Sequence, residues 1–78
     1  MIDKSEIKEH AEVVDRDGKI VGVVDHLEGE HEIKLAKNAP ESGGQHHLIP
    51  ISWVDKVVDN QVVLSKSLSE VEQNWKAI

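Results

Sequence analysis

Asp15-Arg16-Asp17-Gly18-Lys19-Ile20-Val21-Gly22-Val23-Val24-Asp25-His26-Leu27 is the stretch that decides the fold. Asp17-Gly18 separates Val13-Val14 from a second β-branched run, and glycine accepts the positive φ that a tight hairpin turn demands. Residues 19–27 (KIVGVVDHL) predict one long strand. Gly22 in its middle marks a bulge, a barrel bend or a close backbone approach. Two strands joined by a turn make a mainly β domain the first expectation.

The pattern extends in both directions. Glu28-Gly29-Glu30 forms the next turn, and residues 31–37 alternate, with His31, Ile33 and Leu35 on one face and Glu32, Lys34 and Ala36 on the other. Residues 38–44 (NAPESGG) read as the longest loop, and residues 46–51 as a further strand. Pro50 lacks an amide proton and belongs at an edge, a bulge or a strand end. Residues 53–58 and 61–65 predict a hairpin turning at Asp59-Asn60. Towards the N-terminus, Asp3-Lys4-Ser5-Glu6 has the form of a capping box and predicts one helical turn ending near His10, packed by Ile2 or Ile7. Ser67-Leu68-Ser69-Glu70 is a second capping box, opening a helix to about Ala77. Leu68, Val71 and Trp75 would share its docking stripe, with Glu70 and Glu72 suited to its positive end and Lys76 to its negative end. The expected architecture is five or six short, mainly antiparallel strands curled into a small barrel, with a C-terminal α-helix packed outside.

At 78 residues the chain is a single domain over residues 1–78. A domain of this size buries roughly 60% of its unfolded surface, so a partner interface would add usefully to its stability. Its core must be Val, Ile and Leu, because Phe and Tyr are absent and Trp53 and Trp75 are the only large aromatics. A deep catalytic cleft is hard to build from so little, which argues against an enzyme. Cysteine is absent, excluding disulfides, thiolate metal sites and cysteine nucleophiles. Met1-Ile2-Asp3-Lys4-Ser5-Glu6 has no signal-peptide character, and no apolar run approaches the ~20 residues needed to cross a bilayer. A cytoplasmic protein is expected. Nine basic against 15 acidic residues give a net charge of −6, which repels anionic membranes and phosphate backbones.

Asp17-Gly18, Ile20-Val21-Gly22-Val23-Val24-Asp25-His26 and His47-Leu48-Ile49-Pro50-Ile51-Ser52-Trp53-Val54, in this order and spacing, resemble the PRC-barrel superfamily. More closely, they resemble a small family of uncharacterised bacterial PRC-barrel-like proteins, over nearly the whole chain. The shared positions are apolar and turn residues, so the resemblance implies a fold rather than an activity. In the superfamily the barrel occurs as the cytoplasmic domain of the photosynthetic reaction-centre H subunit and at the C-terminus of a ribosome maturation factor. There it is a protein-binding module. The chain lacks the membrane helix of the first and the RNA-associated domain of the second, so the resemblance implies an interaction module without naming its partner.

Chemistry-bearing residues are few. Gly43-Gly44-Gln45-His46-His47 brings a double-glycine loop and adjacent imidazoles close to Trp53, and His46, His47 and Trp53 are the candidate partner-binding residues. The plainer reading of Trp53 is an indole covering one end of the core. Five histidines raise a metal hypothesis. His26 and His31 flank a turn and could supply ligands, with Glu28 or Glu30 as a third, but no HxH or HExxH pattern is present. The same histidines could sense pH near ~6.5. No serine sits in a GxSxG elbow, and Gly43-Gly44 is not followed by the Lys and Ser or Thr of a phosphate loop. The expected function is a non-catalytic cytoplasmic interaction module without a cofactor, self-associating as a homodimer. The alternatives are a histidine-based metal-binding protein or a ribosome- or RNA-associated factor.

Overall fold

Gly18 takes a positive φ of 86°, and the turn it makes joins β1 (Glu12–Val14) to β2 (Ile20–Glu28) as an antiparallel pair. The computed structural model describes residues 4–37 and 42–78, and in it β2 is long enough to serve two neighbours. Its first half pairs with β1, and its second half, from Val24 onward, pairs with β3 (Glu32–Leu35). β3 pairs antiparallel with β4 (His47–Pro50). A 3-10 turn over Ile51–Trp53 then leads into β5 (Val54–Val58), which folds back on β6 (Gln61–Leu64). Asp59 and Asn60 have φ of 49° and 63°, the consecutive left-handed residues that a two-residue hairpin requires. Helix α1 (Leu68–Asn74) and the short β7 (Lys76–Ala77) complete the chain.

The strands form one seven-stranded sheet in the order β5-β6-β1-β2-β3-β4-β7. It is mixed, because β1 lies parallel to β6 while its other neighbour β2 is antiparallel. The sheet does not close: β5 stands at one end and β7 at the other. The expected count of five or six strands is thereby corrected to seven among the described residues. The additional strand arises where the helix was expected to continue. Ser67 and Glu70 do form the capping box, each side chain accepting from the other's backbone amide. The helix nevertheless ends at Asn74, not near Ala77, because Trp75 is extended (φ −70°, ψ 163°) and turns Lys76 and Ala77 onto β4. Trp75 is the C-cap, its amide still donating to the Val71 carbonyl, and it packs against the core with Leu68 and Val71 as the expected stripe requires.

The two halves of the sheet share one core. Val13, Val21, Val62 and Leu64 come from the β6-β1-β2 side and Val24, Ile33, Leu35 and Ile49 from the β2-β3-β4 side, with Ile7, Ala11 and Val71 of α1 closing over them. Lys4–Glu6 forms a 3-10 turn. Ile2 and Asp3 of the expected N-terminal capping box, and residues 38–41 of the expected loop, lie outside the described residues. No helix among the described residues is long and apolar enough to cross a membrane.

Gly22 sits at a bulge. Val13 pairs with Gly22 and Val14 with Ile20, so Val21 is the extra residue of β2. A Cβ at Gly22 would lie 3.7 Å from Leu35 Cδ1, an ordinary van der Waals contact. The residue therefore has room for a methyl group. Gly22→Ala is expected to leave the protein equally stable or stabilise it by up to about 1 kcal/mol, since alanine restricts the unfolded chain. Urea unfolding measures this, and a loss above that size would mean that the glycine is needed for the bulge.

Candidate functional site

The expected binding stretch is divided by the fold. His47 stands on β4 between Leu35 of β3 and Ala77 of β7. It is buried, and its ring stacks on Trp75 with centroids 3.8 Å apart and planes inclined by 13°. Its neighbour His46 is half-buried, with Nδ1 2.9 Å from the Leu35 carbonyl oxygen. Trp53 ends the 3-10 turn after β4, and its half-buried indole packs against the core. Lys66 Nζ lies 5.5 Å from the Trp53 ring centroid, within reach of a cation–π contact. The indole that meets an imidazole is thus Trp75, which the sequence reading assigned to plain packing.

His47 has an electrostatic consequence. Its Nδ1 is buried with no hydrogen-bond partner among the described residues, and burial holds its pKa below the usual histidine value. The folded protein therefore carries this imidazole neutral where the unfolded chain would protonate it. Since the unfolded state binds the extra proton, its contribution to stability is fully present above the unfolded value of ~6.5 and declines as pH falls from there towards the folded pKa. Wild-type protein is expected to lose stability between pH 7 and 5. His47→Phe, which keeps a stacking ring but cannot titrate, is expected to show a flatter profile in thermal melts. Parallel profiles for the two proteins would dismiss His47 as the cause.

The metal candidates are placed apart. His26 follows a second bulge in β2, at Asp25, and pairs across the hairpin with Lys34 rather than His31. Its Nδ1 lies 3.0 Å from Asp25 Oδ2 and its Nε2 3.0 Å from Glu28 Oε1, so carboxylates of its own strand hold both ring nitrogens. His31 is exposed in the turn, where its carbonyl accepts from the Ile51 amide at 2.8 Å. Among the described residues no group of three His, Asp or Glu side chains is arranged to hold a metal ion.

Asp15 is the polar residue that sequence reasoning undervalued. Its carboxylate is 1% exposed. Oδ1 accepts from the amides of Asp17 (2.9 Å) and Lys19 (2.7 Å), closing the β1–β2 turn. Oδ2 accepts from the amide of Leu68 at 2.8 Å, one of the helix N-terminal donors that have no partner within α1. Burial alone would push this carboxyl up, but the three amides and the Lys19 charge hold it below the usual carboxylate range. Beside it the Arg16 amide donates to the Lys66 carbonyl at 3.1 Å, and the exposed Arg16 guanidinium lies 3.9 Å from Glu70. An aspartate bonding the amide two residues on was legible as a turn signal. The contact with Leu68 was not, because no local pattern announces it.

A family model described as an uncharacterized protein conserved in bacteria matches residues 7–72. No curated protein matches the chain.

Proposed function

The chain belongs to the uncharacterised bacterial family DUF2171, and on that premise we propose that it is a non-catalytic cytoplasmic interaction module, PRC-barrel-like in fold, that pairs with a second copy of itself. The observation that carries this reading is a sheet that ends without closing, with β5 and β7 as its outermost strands. Apolar side chains stand out near both ends: Val58 on β5 is 44% exposed, and Ile78 beyond β7 is 62% exposed. Unpaired strands and uncovered apolar surface gain from a second chain, and a homodimer is the simplest closed assembly. The non-catalytic assignment draws support from two of the buried polar groups: the Asp15 carboxylate is committed to backbone amides, and His47 lies beneath Trp75. Of the residues expected in a contact patch, His46 and Trp53 reach the surface in part, while His47 supports the fold.

Light scattering coupled to size exclusion tests the proposal over a range of protein concentrations. The expected mass is that of two chains, falling towards one on dilution. A single-chain mass at every concentration would remove self-association. A melting temperature that rises with added zinc would move the assignment to metal binding.

A further inference from the structure

We infer that Trp75, Lys76, Ala77 and Ile78 form a strap that closes over β4 while the His47 imidazole is neutral and opens when it takes a proton. The strap is slight. β7 is two residues long with both side chains exposed, and Ile78 beyond it is exposed too. Its hold on β4 consists of the pairs His47–Ala77 and Leu48–Lys76, the Ile78 amide donating to the His46 carbonyl at 3.0 Å, and the Trp75 ring stacked on His47. Helix α1 is anchored separately, by its Leu68 amide donating to Asp15 and by the fully buried Val71. Residues 75–78 can therefore leave β4 while the helix stays in place.

His47 has the placement of a trigger. It is 6% exposed in the cross-strand row Val24, Leu35, His47, Ala77, whose other members are apolar. β7 is the last strand on this side of the sheet, so the strap is what stands between His47 and water there. With the imidazole neutral, the buried Nδ1 is a bare acceptor without a partner among the described residues. Protonation turns it into a buried, charged N–H with nothing to receive it, a far costlier state. The π face of Trp75 attracts an imidazolium, but it offers Nδ1 no acceptor and the row holds no carboxylate.

The charged groups of the neighbouring elements do not supply one. Glu32 and Lys34 of β3 and Lys76 of β7 are in register with Pro50 and Leu48, on the opposite face from His47. His46 has its Nδ1 2.9 Å from the Leu35 carbonyl oxygen. Lys37 after β3 is exposed, as are Glu70 and Glu72 of α1, and Glu70 is committed to Ser67. Opening exchanges this enclosure for water. An open strap leaves His47 with an ordinary imidazole's proton affinity, near ~6.5, whereas burial beneath the closed strap holds it lower. The open form thus binds the proton, and opening gains up to about tenfold per pH unit below ~6.5 until the closed value is reached. Acid bares the edge of β4 at residues 46–48.

Hydrogen exchange of single amides by NMR from pH 7 to 5, corrected for intrinsic rates, tests the strap. The Ile78 amide reports on it, and the Val24 amide, which donates to the Ala11 carbonyl at 2.9 Å, reports on the core. At pH 7 Ile78 is expected to be at least about a hundredfold less protected than Val24, the mark of a local opening. Its protection is expected to fall by about a further tenfold by pH 5. His47→Phe and His47→Gln, two replacements of different shape that cannot titrate, are expected to abolish that fall, and either one that circular dichroism shows to be folded suffices. Equal protection of Ile78 and Val24 would overturn the strap, because β4 would then be uncovered only by global unfolding. Ile78 protection that does not change with pH in the wild type, or that falls equally in a folded variant, would overturn His47 as its trigger.

Discussion

Asp15→Ala is expected to cost about 3–5 kcal/mol and to lower the melting temperature by some 15–30 °C. A domain of this length has a total of only about 4–12 kcal/mol to lose, so much of the protein would be unfolded near physiological temperature. The size follows from the number of groups left behind. The carboxylate serves the amides of Asp17, Lys19 and Leu68, and each buried donor left without an acceptor costs ~1–3 kcal/mol. Asp17→Ala, on an exposed side chain in the same turn, is expected to change stability by less than about 0.5 kcal/mol. Asp15→Asn separates charge from shape. Because the folded pKa of Asp15 is lowered, its ionised form stabilises the protein fully above the unfolded value of ~3.9. That contribution disappears as pH falls through the folded value. The gap between wild type and Asp15→Asn in urea unfolding should therefore be wide at pH 7 and narrow in acid. Equal stability at pH 7 would refute the account.

The second large effect is expected in the core. Ile33 is fully buried at the middle of β3, paired with Leu27 on β2 and Ile49 on β4. Ile33→Ala is expected to cost about 2–5 kcal/mol, combining lost transfer energy with the cavity left by a side chain whose neighbours are fixed on both sides. Ile33→Val should cost only about 0.5–1.5 kcal/mol. Denaturant midpoints for both, at unchanged m-value, check the pair. An Ile33→Ala loss below 1 kcal/mol would show that the sheet can collapse into the space.

What was legible in the sequence was local. Asp17-Gly18 and Asp59-Asn60 marked hairpins because left-handed φ has a short residue vocabulary. Ser67 and Glu70 marked the helix start because a capping box lies within four residues. Residues that meet across the fold were not legible. Trp75 continues a helical stripe in sequence but stands extended at the helix C-cap, stacked on His47, 28 positions earlier in the numbering. Val14 and Val63 read as ordinary strand residues, and only the register shows that β1 lies parallel to β6 and sets them side by side. The expected site was divided for the same reason: adjacency along residues 46–53 does not survive the 3-10 turn that separates β4 from β5.

The parallel pairing of β1 with β6 has a consequence for how the protein is made. Glu12, Val13 and Val14 lie beside Gln61, Val62 and Val63, and Asp15 reaches Leu68. β1 therefore gains its second neighbour only once residues 61–63, some 49 positions further along, have been made. A contact across so many residues is formed late and slowly. Until then Val13 and Val14 have β2 alone as a strand neighbour, and the edge they present must be kept from other partners.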